Sequence, residues 1–389
     1  MNYFHTDKLD SRNTLMKFLP FVLNALTVVC VCWTFREGIL WSDFPMQWQS
    51  CSYALRGIDI YSVRGTEIEA GFHAVPWGLV LGNVFYGGFL PYRAAEIYFT
   101  LLNMIVAAYA AYVMYSRIKK VYPELELCTI AVSLLSIDYI FAYYSGNAGG
   151  IICAFLIIAW AWREKHPILS GILISVAMVK PQTALIVCLD FIIMKHVMPV
   201  IIAAVIDVAA WFTASLLTHK GVFELIYDFL FSSGRGESTP FAGIFHFVFQ
   251  NFMTAVFFSM LAGIVFVFVL HKYLPDDMPS FFKVYPSFMA STFWCYSFMR
   301  DSYVLIVPAL MCLHFMTLHK GKFKYLMWLL FSVFCAYGYA FRSAFYKVMH
   351  SISPSLSWHP AQDLYEVGII VIGILICIEL RKVYSEAKS

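Results

Sequence analysis

The chain has 389 residues, 61% of them hydrophobic and 18% aromatic, with 13% charged and a formal net charge of +3. A mean hydropathy of +0.72, with apolar runs recurring from end to end, excludes a soluble globular protein and reads as an all-α, polytopic integral membrane protein. So small a net charge says little about partners; what informs in such a chain is where the charges fall.

The first 17 residues are polar and mildly basic, and no A-x-A cleavage site follows the apolar run from Phe18. That run predicts a retained helix rather than a signal peptide. A span needs roughly 20 apolar residues, and full spans are expected at about 18–35, 94–116, 127–144, 149–162, 197–217, 253–270, 284–299, 303–318, 325–341 and 366–380. The stretch 168–194 is apolar but broken by Lys180-Pro181-Gln182.

Basic residues choose the topology. With a cytoplasmic N-terminus and 168–194 folded as a hairpin of two short helices, 17 of the 27 Lys and Arg fall in short cytoplasmic loops and tails, as the positive-inside rule requires. A single span there would put HKGKFK (319–324) and the basic C-terminus outside. The same argument, with four glycines and a proline, makes 75–90 an interfacial or re-entrant segment of the outer face. The expectation is one transmembrane domain over 1–389, with about ten full spans plus the broken hairpin. Both termini are cytoplasmic, and external loops cover 36–93 (carrying amphipathic helices), 218–252 and 342–365. No internal repeat is visible, which counts against inverted-repeat transporters.

Nine of the ten cysteines lie in apolar segments, with Cys51 in a polar loop, and no CxxC or Cys/His spacing suggests a metal. Asp276-Asp277 is a cytoplasmic turn between Pro275 and Pro279, not a metal-binding D-x-D. GRGES (234–238) lacks the Walker pattern and reads as an external loop that gates acceptor entry. No nucleotide-binding fingerprint, hydrolase motif or nucleic-acid motif appears, so neither a nucleotide-sugar donor nor a nucleic-acid partner is supported.

In this topology the unusual polar residues gather on the outer face: Asp43 and Asp59 in the first loop, Gly146-Asn147 at an outer turn, Lys180 at the apex of the hairpin, and Arg300-Asp301 between two spans. An outer acid beside cations at membrane-boundary depth suits the handling of an anionic lipid headgroup. Each has a plain structural alternative. Asp43-Phe44-Pro45 is also a helix-start pattern, Asp59 can order its loop with Tyr61 on the interface, and Arg56 and Arg64 can be solvated. Lys180 can pair with Asp138, Asp190 or Asp207, and Arg300 with Asp301; Tyr303 can be an interface aromatic and His73 a hydrogen-bonded loop residue.

The stretches WSDF around Asp43, GIDIY (57–61), FHAVPWG (72–78), SGNAGG (145–150), VKPQTALIV (179–187) and RDSYVLIVP (300–308), in that order, resemble the GT-C superfamily of polyprenyl-phosphate-sugar-dependent glycosyltransferases. The closest branch is glycosyltransferase family 87, which contains the mycobacterial phosphatidylinositol mannoside mannosyltransferases. The chain departs from that pattern at Ile60, where proline is usual, at Asn147, where glutamine is commoner, and at Arg300-Asp301, where a histidine often stands. The resemblance implies a GT-C-like helical bundle in a bacterial inner membrane with a periplasmic or extracellular active face. It also implies transfer of one sugar, a hexose such as mannose or a pentose, from a polyprenyl phosphate to a glycan or glycolipid acceptor.

Phosphate already leaves as a stable anion, so the catalyst must deprotonate an acceptor hydroxyl and neutralise the phosphate. Asp43 is the expected base, in a single inverting displacement that needs no second carboxylate. Asp59, Arg56, Tyr61, His73, Asn147, Lys180, Gln182, Arg300, Asp301 and Tyr303 are the expected substrate contacts. No cofactor or metal is expected, membrane lipids are the surroundings, and a monomer suffices. The alternatives are a transporter or flippase for lipid-linked glycans, which Asp207 in mid-span favours, and an O-antigen ligase or polymerase, which the arginine-poor loop 218–252 disfavours.

Overall fold

The computed structural model describes residues 43–61, 75–121, 146–229, 252–294, 304–319, 321–337, 344, 347–352 and 359–386. Of these 82% are helical and none is in a strand. The expected spans 18–35 and 127–144 lie outside the described residues.

Helix α1 (Asp43–Leu55) ends where Gly57 takes a left-handed φ of +76°. Its N–H donates to Ala54 O at 3.1 Å, and that of Ile58 to Tyr53 O at 3.0 Å. This paired closure is why the sequence places glycine there. Phe44 is fully buried against Tyr86, Tyr92 and Phe99. Cys51, expected in a polar loop, is instead inside this packing, where burial pushes its thiol up to about 12.

Residues 75–90 form two single-turn helices, α2 (Gly78–Leu81) and α3 (Asn83–Tyr86), packed against α1. Most of this segment is buried within the protein, from Val75 to Gly88.

Next come α4 (Tyr92–Val121), α5 (Gly149–Trp162), α6 (Pro167–Ala177), α7 (Pro181–Ile193) and α8 (Val197–Thr218), followed by the short α9 (Val222–Tyr227). Every residue of α5 from Gly149 to Ala161 is buried; a helix apolar on all sides belongs at the centre of a bundle. The reverse holds at α8, where Ile201, Val205, Phe212 and Leu216 are exposed. Apolar surface turned outward along a long helix suits lipid, not water.

The C-terminal part contains α10 (Phe252–Tyr273), a 3-10 turn at Phe282–Val284, α11 (Tyr285–Ala290), α12 (Ile306–Leu318), α13 (Lys322–Ala336) and α14 (His359–Glu386). A buried knot ties its start to the hairpin: Asp190 of α7 accepts from Ser287 of α11 and meets His271 of α10 at 2.5 Å. Among the described residues, three helices are long and apolar enough to cross a membrane, Tyr92–Ile118, Val197–Thr218 and Thr254–Tyr273. They indicate a membrane protein. Where a full span over 284–299 is expected, the helix stops at Ala290 and a turn follows to Trp294.

Candidate active site

Three elements begin at one point. Asp43 opens α1, Asn147 precedes α5, and Lys180 sits at the break between α6 and α7. Asn147 is buried, and its amide joins the other two: Nδ2 donates to Asp43 Oδ2 at 2.7 Å, while Oδ1 accepts from Lys180 Nζ at 2.7 Å and from the Gly149 N–H at 2.8 Å. The amide has one workable orientation, because its oxygen faces two donors and its nitrogen a carboxylate.

Gly146 makes this junction buildable. Its φ is +70°, and a Cβ there would fall inside contact distance of the Phe44 Cβ and 2.8 Å from the Phe44 nitrogen. Glycine alone lets the turn before α5 touch the start of α1, which brings Asn147 over Asp43.

Lys180 is held by the broken hairpin. Its N–H donates to Ala177 O at 3.0 Å and closes α6, while its carbonyl accepts from Thr183 and Ala184 and starts α7. The carbonyls on either side of the break are taken by indoles, Trp77 Nε1 on Met178 O at 2.9 Å and Trp294 Nε1 on Gln182 O. Both backbone acceptors beside the break thus gain an indole donor. Asp190 and Asp207, the bland partners of this lysine, are engaged elsewhere, Asp190 with His271 and Ser287 and Asp207 with Ser175 at 2.7 Å. Asp138 lies outside the described residues.

From Pro181 an apolar cavity of about 560 Å³ runs between α7, α8 and α10, walled by Trp77, Leu185, Ala204, Trp211, Met260 and Trp294, with Asp207 as its acidic member.

Asp59 belongs to a second cluster. Its Oδ1 accepts the Tyr61 N–H at 3.0 Å, and its Oδ2 lies 2.7 Å from Lys220 Nζ, which also bonds Asp228. Burial alone would lower the Lys220 pKa, but the hydrogen bonds its ammonium donates to Asp228 and Asp59 outweigh it and hold the pKa above the usual lysine value. The cluster fastens the loop after α1 to α9. Sequence reasoning missed Lys220 as its centre, although Glu224 and Asp228, one and two turns further on, are a readable signal. Arg56 is exposed, Tyr61 half-buried, and Gln182 is engaged through its backbone carbonyl. His73, Arg300, Asp301 and Tyr303 lie outside the described residues. Among those that are described, no three His, Cys, Asp or Glu side chains gather as a metal site.

Residues 76–232 match the model of glycosyltransferase family 87. The match indicates a glycosyltransferase and bears out the resemblance to family 87. It takes in Asn147, Lys180-Pro181-Gln182 and Lys220, whereas Asp43, Asp59 and the 300–308 motif fall outside the matched stretch. No curated protein and no solved structure matches the chain.

Proposed function

We propose that the protein transfers one sugar, a hexose of the mannose type or a pentose, from a polyprenyl phosphate to a glycan or glycolipid. The reaction takes place on the outer face of a bacterial inner membrane, in a GT-C-like bundle with cytoplasmic termini. The observation that carries this reading is the single amide of Asn147 bonded at once to a carboxylate and an ammonium.

Asp43 takes the proton of the acceptor hydroxyl as that oxygen attacks the anomeric carbon. The sugar–phosphate bond breaks in the same step, inverting the centre, and Lys180 stabilises the phosphate as it leaves. Two hydrogen bonds and an amide separate base from cation by roughly 5–7 Å, enough for attacking and leaving oxygens on opposite sides of one carbon. Asn147 positions both groups. Arg300 and Tyr303 are further substrate contacts in this reading, and Asp59 orders the loop after α1. No metal is required.

The cavity beyond Pro181 suits the isoprenoid tail, being apolar and walled in part by α8, whose outer surface is apolar. Helices α5 and α7, of 14 and 13 residues, rise about 20 Å against roughly 30 Å of hydrocarbon. With their far ends at the cytoplasmic interface, Asn147 and Lys180 lie recessed in the outer leaflet, where a lipid phosphate can reach them. Asp207 in the cavity wall supports the second reading, a carrier of lipid-linked glycans.

The test offers purified protein polyprenyl-phosphate-mannose, -glucose and -arabinose in turn, with a membrane-lipid extract as acceptor. Consumption of one donor with inversion at the transferred sugar is the expected result. No consumption of any donor, with lipid-linked glycan crossing proteoliposome membranes, favours the carrier.

A further inference from the structure

Helices α5 and α7 start together at Asn147 and Lys180, and they also end together. Arg163 follows α5 and His196 follows α7; the Glu164 carboxylate lies 3.7 Å from His196, and the Trp160 ring packs edge-on to the His196 ring. Arg117, near the end of α4, arrives at the same place. This pole lies about 20 Å from the Asp43–Asn147–Lys180 junction.

Two guanidinium groups are seated there on adjacent carbonyls of one helix end. Arg163 Nη1 donates to Trp160 O at 2.5 Å, and Arg117 Nη2 donates to Ala161 O at 2.7 Å. The Arg163 side chain is 4% exposed, lies over the Trp160 ring at 4.1 Å, and has an Nε with no hydrogen-bond partner. Among the described residues Glu164 is the carboxylate paired with this group, at 3.1 Å from Arg163, and it is 60% exposed. Lys165 and Lys195 stand exposed at the rim. Lys195 does so with a left-handed φ of +63°, where glycine would ordinarily close the helix.

Capping of a helix C-terminus explains one arginine on a free carbonyl, and the positive-inside rule explains basic loops. Neither explains two like charges side by side, one of them buried, with Glu164 the one carboxylate paired to Arg163 among the described residues. Burial pulls the Arg163 guanidinium down to about 10, Glu164 opposing that fall and Arg117 adding to it. Burial also lowers the pKa of His196, and Arg163 lowers it further. A bound anion would relieve both.

We infer that Arg117 and Arg163, with Lys165 and Lys195 at the rim, bind the phosphate of an anionic phospholipid headgroup at the pole opposite the candidate active site. The planar guanidinium fork matches phosphate oxygens, and basic pockets between helices at the cytoplasmic interface select such headgroups. This site is separate from sugar transfer, so its failure leaves the proposed function untouched.

The experiment uses full-length protein in detergent, with phosphatidylglycerol, phosphatidylcholine and inorganic phosphate added separately. Bound lipid is read by native mass spectrometry and unfolding temperature by a thermal scan. The variants are Arg117→Gln with Lys195→Gln, both outside the core, and separately Arg163→Gln. Wild type is expected to retain phosphatidylglycerol and to be stabilised by it over phosphatidylcholine. The double variant, still folded in phosphatidylcholine, is expected to lose at least about tenfold in affinity for phosphatidylglycerol. Equal stabilisation by inorganic phosphate assigns the site to the free ion. Equal retention of the two lipids by wild type, or unchanged retention by the double variant, overturns the site even if Arg163→Gln fails to fold.

Discussion

Lys180 Nζ donates to Asn147 Oδ1 at 2.7 Å, and the other end of that amide holds Asp43. A neutral side chain thus links an acid to a base that would otherwise pair directly or drift apart. Asn147→Ala removes the link, and sugar transfer is expected to fall by about 10²-fold, since small displacements of catalytic groups are costly. Asn147→Asp keeps the size but turns a carboxylate toward Asp43, so it is expected to be no better than alanine. Comparing initial rates of the two variants checks this; an aspartate variant near wild type would mean that the amide hydrogen bond to Asp43 is dispensable.

Gly146→Ala tests the joint beneath this network. The new methyl meets Phe44 and the residue must keep a φ of +70°. A loss of about 2–4 kcal/mol of stability is expected, together with loss of transfer. Ala148→Gly, two residues on, serves as a control that leaves the clash out. An unchanged unfolding temperature in Gly146→Ala would show that the turn and α1 do not touch.

Lys220 should matter for stability rather than chemistry. Lys220→Met leaves Asp59 and Asp228 facing each other across a partly buried site, at a cost of about 1–3 kcal/mol. Because the folded pKa of Lys220 is raised, its contribution is complete below the unfolded lysine value and is lost as pH rises through the folded one. The difference in unfolding temperature between wild type and Lys220→Met should therefore hold steady from pH 7 to about 10 and shrink above that. A difference that vanishes near neutrality would contradict the assignment.

Filling the cavity separates tail from headgroup. Ala204→Phe narrows the groove without touching Asn147 or Lys180. KM for a long polyprenyl donor is expected to rise about tenfold, while a donor with a short isoprenoid chain is used as before. Equal effects on both donors would remove the groove from the donor path.

Much of this was legible before any coordinates. The break at Lys180-Pro181 was visible because proline cannot continue a helix and because the basic loops demand a hairpin there; α6 and α7 duly meet at Lys180. Asp43, Asn147 and Lys180 were each singled out, but their contact was not, since 104 and 33 residues separate Asn147 from its two partners. Gly146 read as part of a turn, whereas the close approach of Phe44 that requires it is a tertiary fact. Residues 75–90 read as interfacial or re-entrant from the basic loops, four glycines and a proline, whereas their packing against α1 is a tertiary fact. The Glu224 and Asp228 spacing after Lys220 was readable, but Asp59, 161 positions earlier, joins it only in the fold.

The most direct test is sugar transfer from the donor that wild type consumes, measured on Asp43→Asn with donor binding and unfolding temperature followed in parallel. A folded variant that binds donor normally but transfers about 10²–10⁴-fold more slowly is the expected result. A variant that transfers at the wild-type rate would contradict the account, leaving Asp43 as the first residue of a helix and no more.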